Sequence, residues 1–138
     1  ARIPHMIAER STYEGILQLV QDTYARLSTP DSNAESLFTH PDISLAGSEV
    51  DELFYGPEAV TDLVKKASTW RWRWELEKVT VWQEGNVAWA QILASIFSKG
   101  VAQENQLNYW TTGVFVKESS GWQWRYWGGS EPQKSPQT

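Results

Sequence analysis

From Trp70 to Gly129 the chain alternates with a period of two, and that feature limits the fold more than any other. A strand turns successive side chains to opposite faces, so sustained alternation specifies a sheet with two faces of fixed composition. At its start Trp70, Trp72, Trp74 and Leu76 share one face. Arg71, Arg73, Glu75 and Glu77 share the other as a ladder of opposite charges. The alternation slips near Lys78, where Val79 and Val81 become the apolar set, which predicts a bulge there. Glu84-Gly85-Asn86 supplies a tight hairpin turn. Further strands are expected over Val87–Ser98, Gln106–Lys117 and Trp122–Gly129, joined by a polar loop over Lys99–Asn105 and a turn at Ser119-Ser120-Gly121.

The preceding half is helical in period. Ile16, Leu17, Val20, Tyr24 and Leu27 recur at helical spacing over Thr12–Leu27, with Ser11 and Glu14 spaced as a capping box. A turn cluster over Ser28–Asn33 leads to a short helix at Ala34–Phe38, and short strands are expected at Asp42–Ala46 and Glu52–Tyr55. Pro57 opens another helix with Val60, Leu63, Val64 and Ala67 as its buried stripe. The order predicts an α+β fold, helices packed on one side of a strongly curved antiparallel sheet.

A length of 138 residues suits a single domain. Residues 1–6 read as a tag remnant or disordered start, 7–132 as the domain, and 133–138 as a disordered tail. The chain has no cysteine, which removes thiolate chemistry, disulfides and cysteine metal sites. The net charge of -5, with scattered basic residues, argues against nucleic acid, which demands a basic stripe. No apolar run approaches the roughly 20 residues of a membrane span, and the N-terminus has no signal-peptide pattern. A cytoplasmic location is expected. His5 and His40 are too few for a multi-histidine metal site, and no ligand spacing, phosphate loop, dinucleotide fingerprint or nucleophile elbow occurs, so neither metal nor cofactor is expected.

The runs Phe38-Thr-His-Pro-Asp42, Gly56-Pro-Glu-Ala-Val60, Gly85-Asn-Val-Ala-Trp89, Thr112-Gly-Val-Phe-Val-Lys117, Gly121-Trp122 and Ser130-Glu-Pro132 come in an order that resembles the SnoaL-like branch of the nuclear transport factor 2-like superfamily. The likeness extends from about Tyr13 to Pro132. It implies a conical domain, usually dimeric through its sheet, with a pocket between sheet and helices. Relatives in that superfamily include ketosteroid isomerases, scytalone dehydratase, limonene epoxide hydrolase, polyketide cyclases and non-enzymatic kinase association domains, so fold leaves function open. Against the family pattern, Tyr126 and Gly128 stand where many relatives carry a histidine pair. Ala46 stands near the isomerase's aspartate base, and Gly113 and Gly129 stand where the association domain has arginines, which implies a roomier, less charged pocket.

Both faces of the strands are largely apolar, which predicts cover by helices on one side and a second subunit on the other, a homodimer through the sheet. The face rich in Ala90, Ala94, Gly113 and Gly129 is read as the pocket side, because small residues leave volume. That parity places Thr111, Phe115 and Trp127 in the ligand wall together with Tyr24, Tyr55 and Trp74. Trp122, Trp124 and Tyr126 fall on the opposite face. Arg125, Tyr109 and His40 are the catalytic candidates: a cation for a developing oxyanion, a phenol donor, and an imidazole suited to proton transfer. The acidic loop Glu49, Asp51, Glu52 offers a carboxylate base near the pocket mouth. For each of these the structural alternative is a satisfied core tyrosine, a surface arginine or a solvated loop. The favoured function is a cofactor-free isomerase, dehydratase or cyclase acting on a small hydrophobic polyketide-, terpenoid- or steroid-like molecule. The alternative is a non-catalytic ligand-binding or dimerisation domain.

Overall fold

The computed structural model describes residues 7–99 and 104–135. Helix α1 spans Arg10–Leu27, a single 3₁₀ turn spans Ala34–Leu37, and α2 spans Pro57–Ala67. The strands are β1 (Ser44–Ala46), β2 (Leu53–Tyr55), β3 (Arg73–Glu84), β4 (Val87–Lys99), β5 (Glu104–Glu118) and β6 (Gly121–Ser130). They form one six-stranded, curved and unclosed sheet in the order β2-β1-β6-β5-β4-β3. All neighbours are antiparallel except β1 and β6, which run parallel with Ser44 opposite Tyr126 and Ala46 opposite Gly128. The fold is therefore α+β, as the period change at the chain's middle predicts. Much of the expected polar loop over 99–105 lies outside the described residues, as do 1–6 and 136–138 of the expected flexible ends.

Alternation on β4 sorts the sheet. Ala88, Ala90, Ile92, Ala94 and Ile96 are buried on the inner face, against Ile16, Val20 and Tyr24 of α1. Each large apolar side chain buried in this way contributes on the order of 1.5–3 kcal/mol. Trp89, Leu93 and Trp110 alternate with them on the outer face; Trp110 remains 47% exposed.

Several local expectations need correction. The capping box does not form: Glu9 takes the extended N-cap conformation at φ -60°, ψ 157°, so Ser11 already lies inside the first turn. Trp70 and Trp72 precede β3 rather than opening it, because Arg71 adopts φ 62° and breaks the extended backbone. The two indoles still meet, at 5.0 Å between ring centroids. The slip near Lys78 is present, as a register shift between Leu76 and Lys78 against β4.

A second bulge had no sequence signal. Opposite β5, Val114 faces Tyr126 while Phe115 faces Trp124, so Arg125 is an extra residue in β6. A bulge reverses parity downstream. Trp124 and Trp127 therefore both turn inward, and the prediction that Trp124 lies on the opposite face from Trp127 fails. Trp124 becomes the centre of the core: fully buried, stacked on Phe38 at 5.4 Å, against Phe115 at 4.5 Å, and donating its indole N–H to Thr23 Oγ1 at 2.9 Å.

Candidate functional site

The open end of the cone holds a cavity of about 500 Å³. Its walls are Trp70, Trp72, Trp74, Tyr109 and Trp127, with Leu27, Phe38, Leu45, Leu63 and Val64 completing the apolar surface. The rings brace one another. Trp74 meets Tyr109 edge-on at 5.3 Å and Trp127 edge-on at 6.3 Å, while Tyr109 stacks on Trp127 at 5.8 Å. Such contacts fix ring orientation as well as burying area. Trp74 is also tied to α1. Ser28 just beyond that helix donates its hydroxyl to Tyr24 O at 2.7 Å and accepts the Trp74 backbone N–H at 2.8 Å.

One end of the cavity is polar. Ser48, Glu49 and Glu52 enter it from the β1–β2 loop, and Glu131 enters from just beyond β6. Ser48 Oγ donates to Glu131 Oε2 at 3.1 Å, and Glu49 N donates to Glu52 Oε1 at 3.1 Å. Glu131 thus belongs to the cavity, at the last positions of the predicted domain.

Two glycines clear the space these groups occupy. A β-carbon at Gly129 would stand 2.1 Å from the Tyr109 hydroxyl oxygen, and one at Gly47 would stand 2.2 Å from Glu52 Oε1. The expectation that Gly113 and Gly129 leave open volume is therefore corrected: Phe115 and Trp124 lie across Gly113, and the Tyr109 ring lies across Gly129. The glycines admit rings.

Burial pushes the Tyr109 phenol up to about 12. Hydrogen bonding with Ser48 opposes that rise, and the negative charges of Glu52 and then Glu131 add to it. The hydroxyl is accordingly a proton-bearing donor throughout the neutral range. Tyr24 is raised further, first by complete burial, and donates to Thr111 Oγ1 at 2.8 Å. The Trp127 indole N–H is buried without a hydrogen-bond partner, though it acts weakly on the Tyr24 hydroxyl beside it. Both tyrosines carry folded pKa values above the unfolded value of 10.0. The unfolded chain then loses these protons first, so their contribution to stability is intact below pH 10 and declines as pH rises toward 12 and beyond. Urea midpoints are expected to fall between pH 9 and pH 11, and less steeply for Tyr109→Phe; equal slopes would contradict this.

The sequence candidates separate clearly. Trp74, Tyr109 and Trp127 stand in the cavity wall. Tyr24 and Thr111 form a buried hydrogen-bonded pair outside its lining, and Phe115 is fully buried against Trp124. Tyr55 is 74% exposed on β2. Arg125, displaced by its bulge, donates to Asp42 O, away from the cavity lining. His40 accepts the Asp42 N–H at Nδ1 (3.0 Å) and places Nε2 3.5 Å from Glu118, a local turn brace. Sequence reasoning missed Ser48 and Glu131, which a loop and a chain end bring together without any shared motif. Among the described residues there is no cluster of potential metal ligands, and no helix is long and apolar enough to cross a membrane.

Two helices over a curved sheet, with an aromatic cavity at the open end, define a cystatin-like cone of the NTF2-like class. The SnoaL-like domain model matches residues 16–134, and the chain belongs to that family. No sequence match to a curated protein was found. Solved structures with the same fold include a candidate dehydratase of the NTF2-like family from Streptomyces avermitilis, with 15% identity, TM-score 0.82, and 92% of this chain and 100% of that one covered. A candidate aromatic ring hydroxylase from Novosphingobium aromaticivorans has 12% identity and TM-score 0.79, over 92% and 93% of the two chains. The CaMKII hub of S. rosetta has 17% identity and TM-score 0.71, over 86% and 95%. At these identities the likeness establishes the fold alone.

Proposed function

We propose that the chain is a cofactor-independent enzyme of the isomerase, dehydratase or cyclase type, holding a polyketide-, terpenoid- or steroid-like skeleton in the aromatic cavity. The observation that carries this reading is the meeting of a phenol donor and carboxylates at one end of an otherwise apolar cavity. In it, Tyr109 donates a hydrogen bond to a substrate carbonyl oxygen. Glu52 takes a proton from the adjacent carbon, so that the electron pair moves onto that oxygen as an enolate. Returning that proton from Glu52 to another carbon completes an isomerisation; delivering it to a β-hydroxyl, which leaves as water while the enolate electron pair forms the new carbon–carbon double bond, completes a dehydration. The aromatic walls hold the reacting conformer and exclude water. The candidate dehydratase with this fold is consistent with the second outcome.

The test is hydrogen exchange into substrate. Cyclic enones and β-hydroxyketones are incubated with protein in deuterium oxide and followed by NMR. Exchange next to the carbonyl is expected, abolished by Glu52→Gln and slowed about 10²–10³-fold by Tyr109→Phe. Binding of these compounds without exchange would favour the non-catalytic ligand-binding reading.

The same proposal has two copies meeting on the outer face of the sheet, where Trp110 and Val87 are exposed and Trp89 and Leu93 half-buried. Sedimentation equilibrium at micromolar concentration should then give twice the chain mass, and a monomer would end this part of the proposal.

A further inference from the structure

Building on the pocket reading above, we propose that the molecule held in this cavity is an organic cation, a protonated amine or quaternary ammonium on a hydrophobic body. The charged side chains among the described lining residues are Glu49, Glu52 and Glu131, with no lysine, arginine or histidine beside them. Among the described residues, arginines pair with Asp22 and Glu75 and His40 lies against Glu118, while no basic side chain pairs with these three glutamates. Their hydrogen bonds come from neutral donors, Ser48 to Glu131 and the Glu49 backbone N–H to Glu52. Among the described residues, therefore, no basic side chain balances the negative charge at the polar end.

The walls favour the same sign. Trp70, Trp72, Trp74, Tyr109 and Trp127 surround the space, and their mutual tilts of 56°, 84° and 76° turn ring faces in different directions. Each aromatic face carries the negative end of a quadrupole, and indole is the strongest of them for binding a cation. An anion would meet carboxylates and ring faces together. A neutral hydrocarbon would gain packing but leave the acidic end unanswered. A cationic ligand satisfies both, with its body among the tryptophans and its nitrogen toward Glu52 and Glu131. The cavity volume of about 500 Å³ is within the range that takes a drug-sized molecule.

Isothermal titration calorimetry at low ionic strength with three probes that share one ring system tests this: naphthylmethyl-trimethylammonium, naphthylmethanol and naphthylacetate. The ammonium probe is expected to bind roughly tenfold or more tighter than the alcohol, with the acetate weakest. Its advantage should shrink to about twofold in a Glu52→Gln/Glu131→Gln variant whose thermal midpoint shows that it remains folded, and should shrink with added salt. Equal or tighter binding of the alcohol or the acetate overturns the cation preference while leaving the pocket reading intact. Failure of all three probes to bind overturns both. An ammonium preference unchanged in the double variant overturns the role given to the carboxylates.

Discussion

Replacing Trp124 by alanine is expected to cost about 3–5 kcal/mol of folding stability, a large share of the roughly 5–15 kcal/mol that holds a domain of this kind together. The side chain is fully buried, contacts Phe38 and Phe115 through its rings, and gives its N–H to Thr23. Alanine removes the ring contacts, opens a void between α1 and the sheet, and deletes the donor to a buried threonine. Urea denaturation of the wild type and variant reads the difference directly. A loss below about 1 kcal/mol would mean that the bulge at Arg125 does not turn this ring into the core. Trp124 is consequently unsuited as a silent control for ligand studies, whereas sequence parity alone would select it for that purpose.

Gly129→Ala is expected to lower stability by about 1–3 kcal/mol and to weaken ligand binding at the same time. Ordinarily, alanine in a strand is favoured over glycine by backbone entropy. Here the new methyl would lie 2.1 Å from the Tyr109 oxygen and 2.6 Å from Cζ. The ring cannot swing away cheaply, because Trp74 and Trp127 hold it on two sides. Combining Gly129→Ala with Tyr109→Phe removes the closest clashing atom. The double variant should therefore recover part of the lost stability, a coupling that denaturation of all four proteins measures. Strict additivity would show that the glycine serves only the curvature of the sheet.

These two positions show how far the sequence reaches. The helical stripe through Ile16 and Val20, the Gly85 turn and the slip at Lys78 are local signals, and each is legible because one short window contains all of it. The Arg125 bulge is different. Gln123-Trp124-Arg125-Tyr126-Trp127 alternates acceptably in either register, and only the pairing with β5 decides which rings face inward. The aromatic half of the cavity follows from strand parity on the long strands. The polar half does not, since Ser48, Glu52 and Glu131 come from a loop and a chain end that become neighbours only when β1 pairs with β6. Arg125 and His40 drew attention by chemical type, and both are engaged around Asp42 instead.

The parallel pairing of β1 with β6 spans three residues on each side, whereas the aromatic walls at Trp74 and Tyr109 ride on strands of 12 and 15 residues. Short peripheral ladders fray at low free-energy cost, and long central ones open only with the whole domain. Glu49 and Glu52 are thus mounted between the two shortest strands, whereas Glu131 follows the ten-residue β6 and Trp74 and Tyr109 stand on long strands. Fraying of the β1–β2 hairpin is therefore expected to draw Glu49 and Glu52 away from the cavity while Glu131 and the rings keep their places.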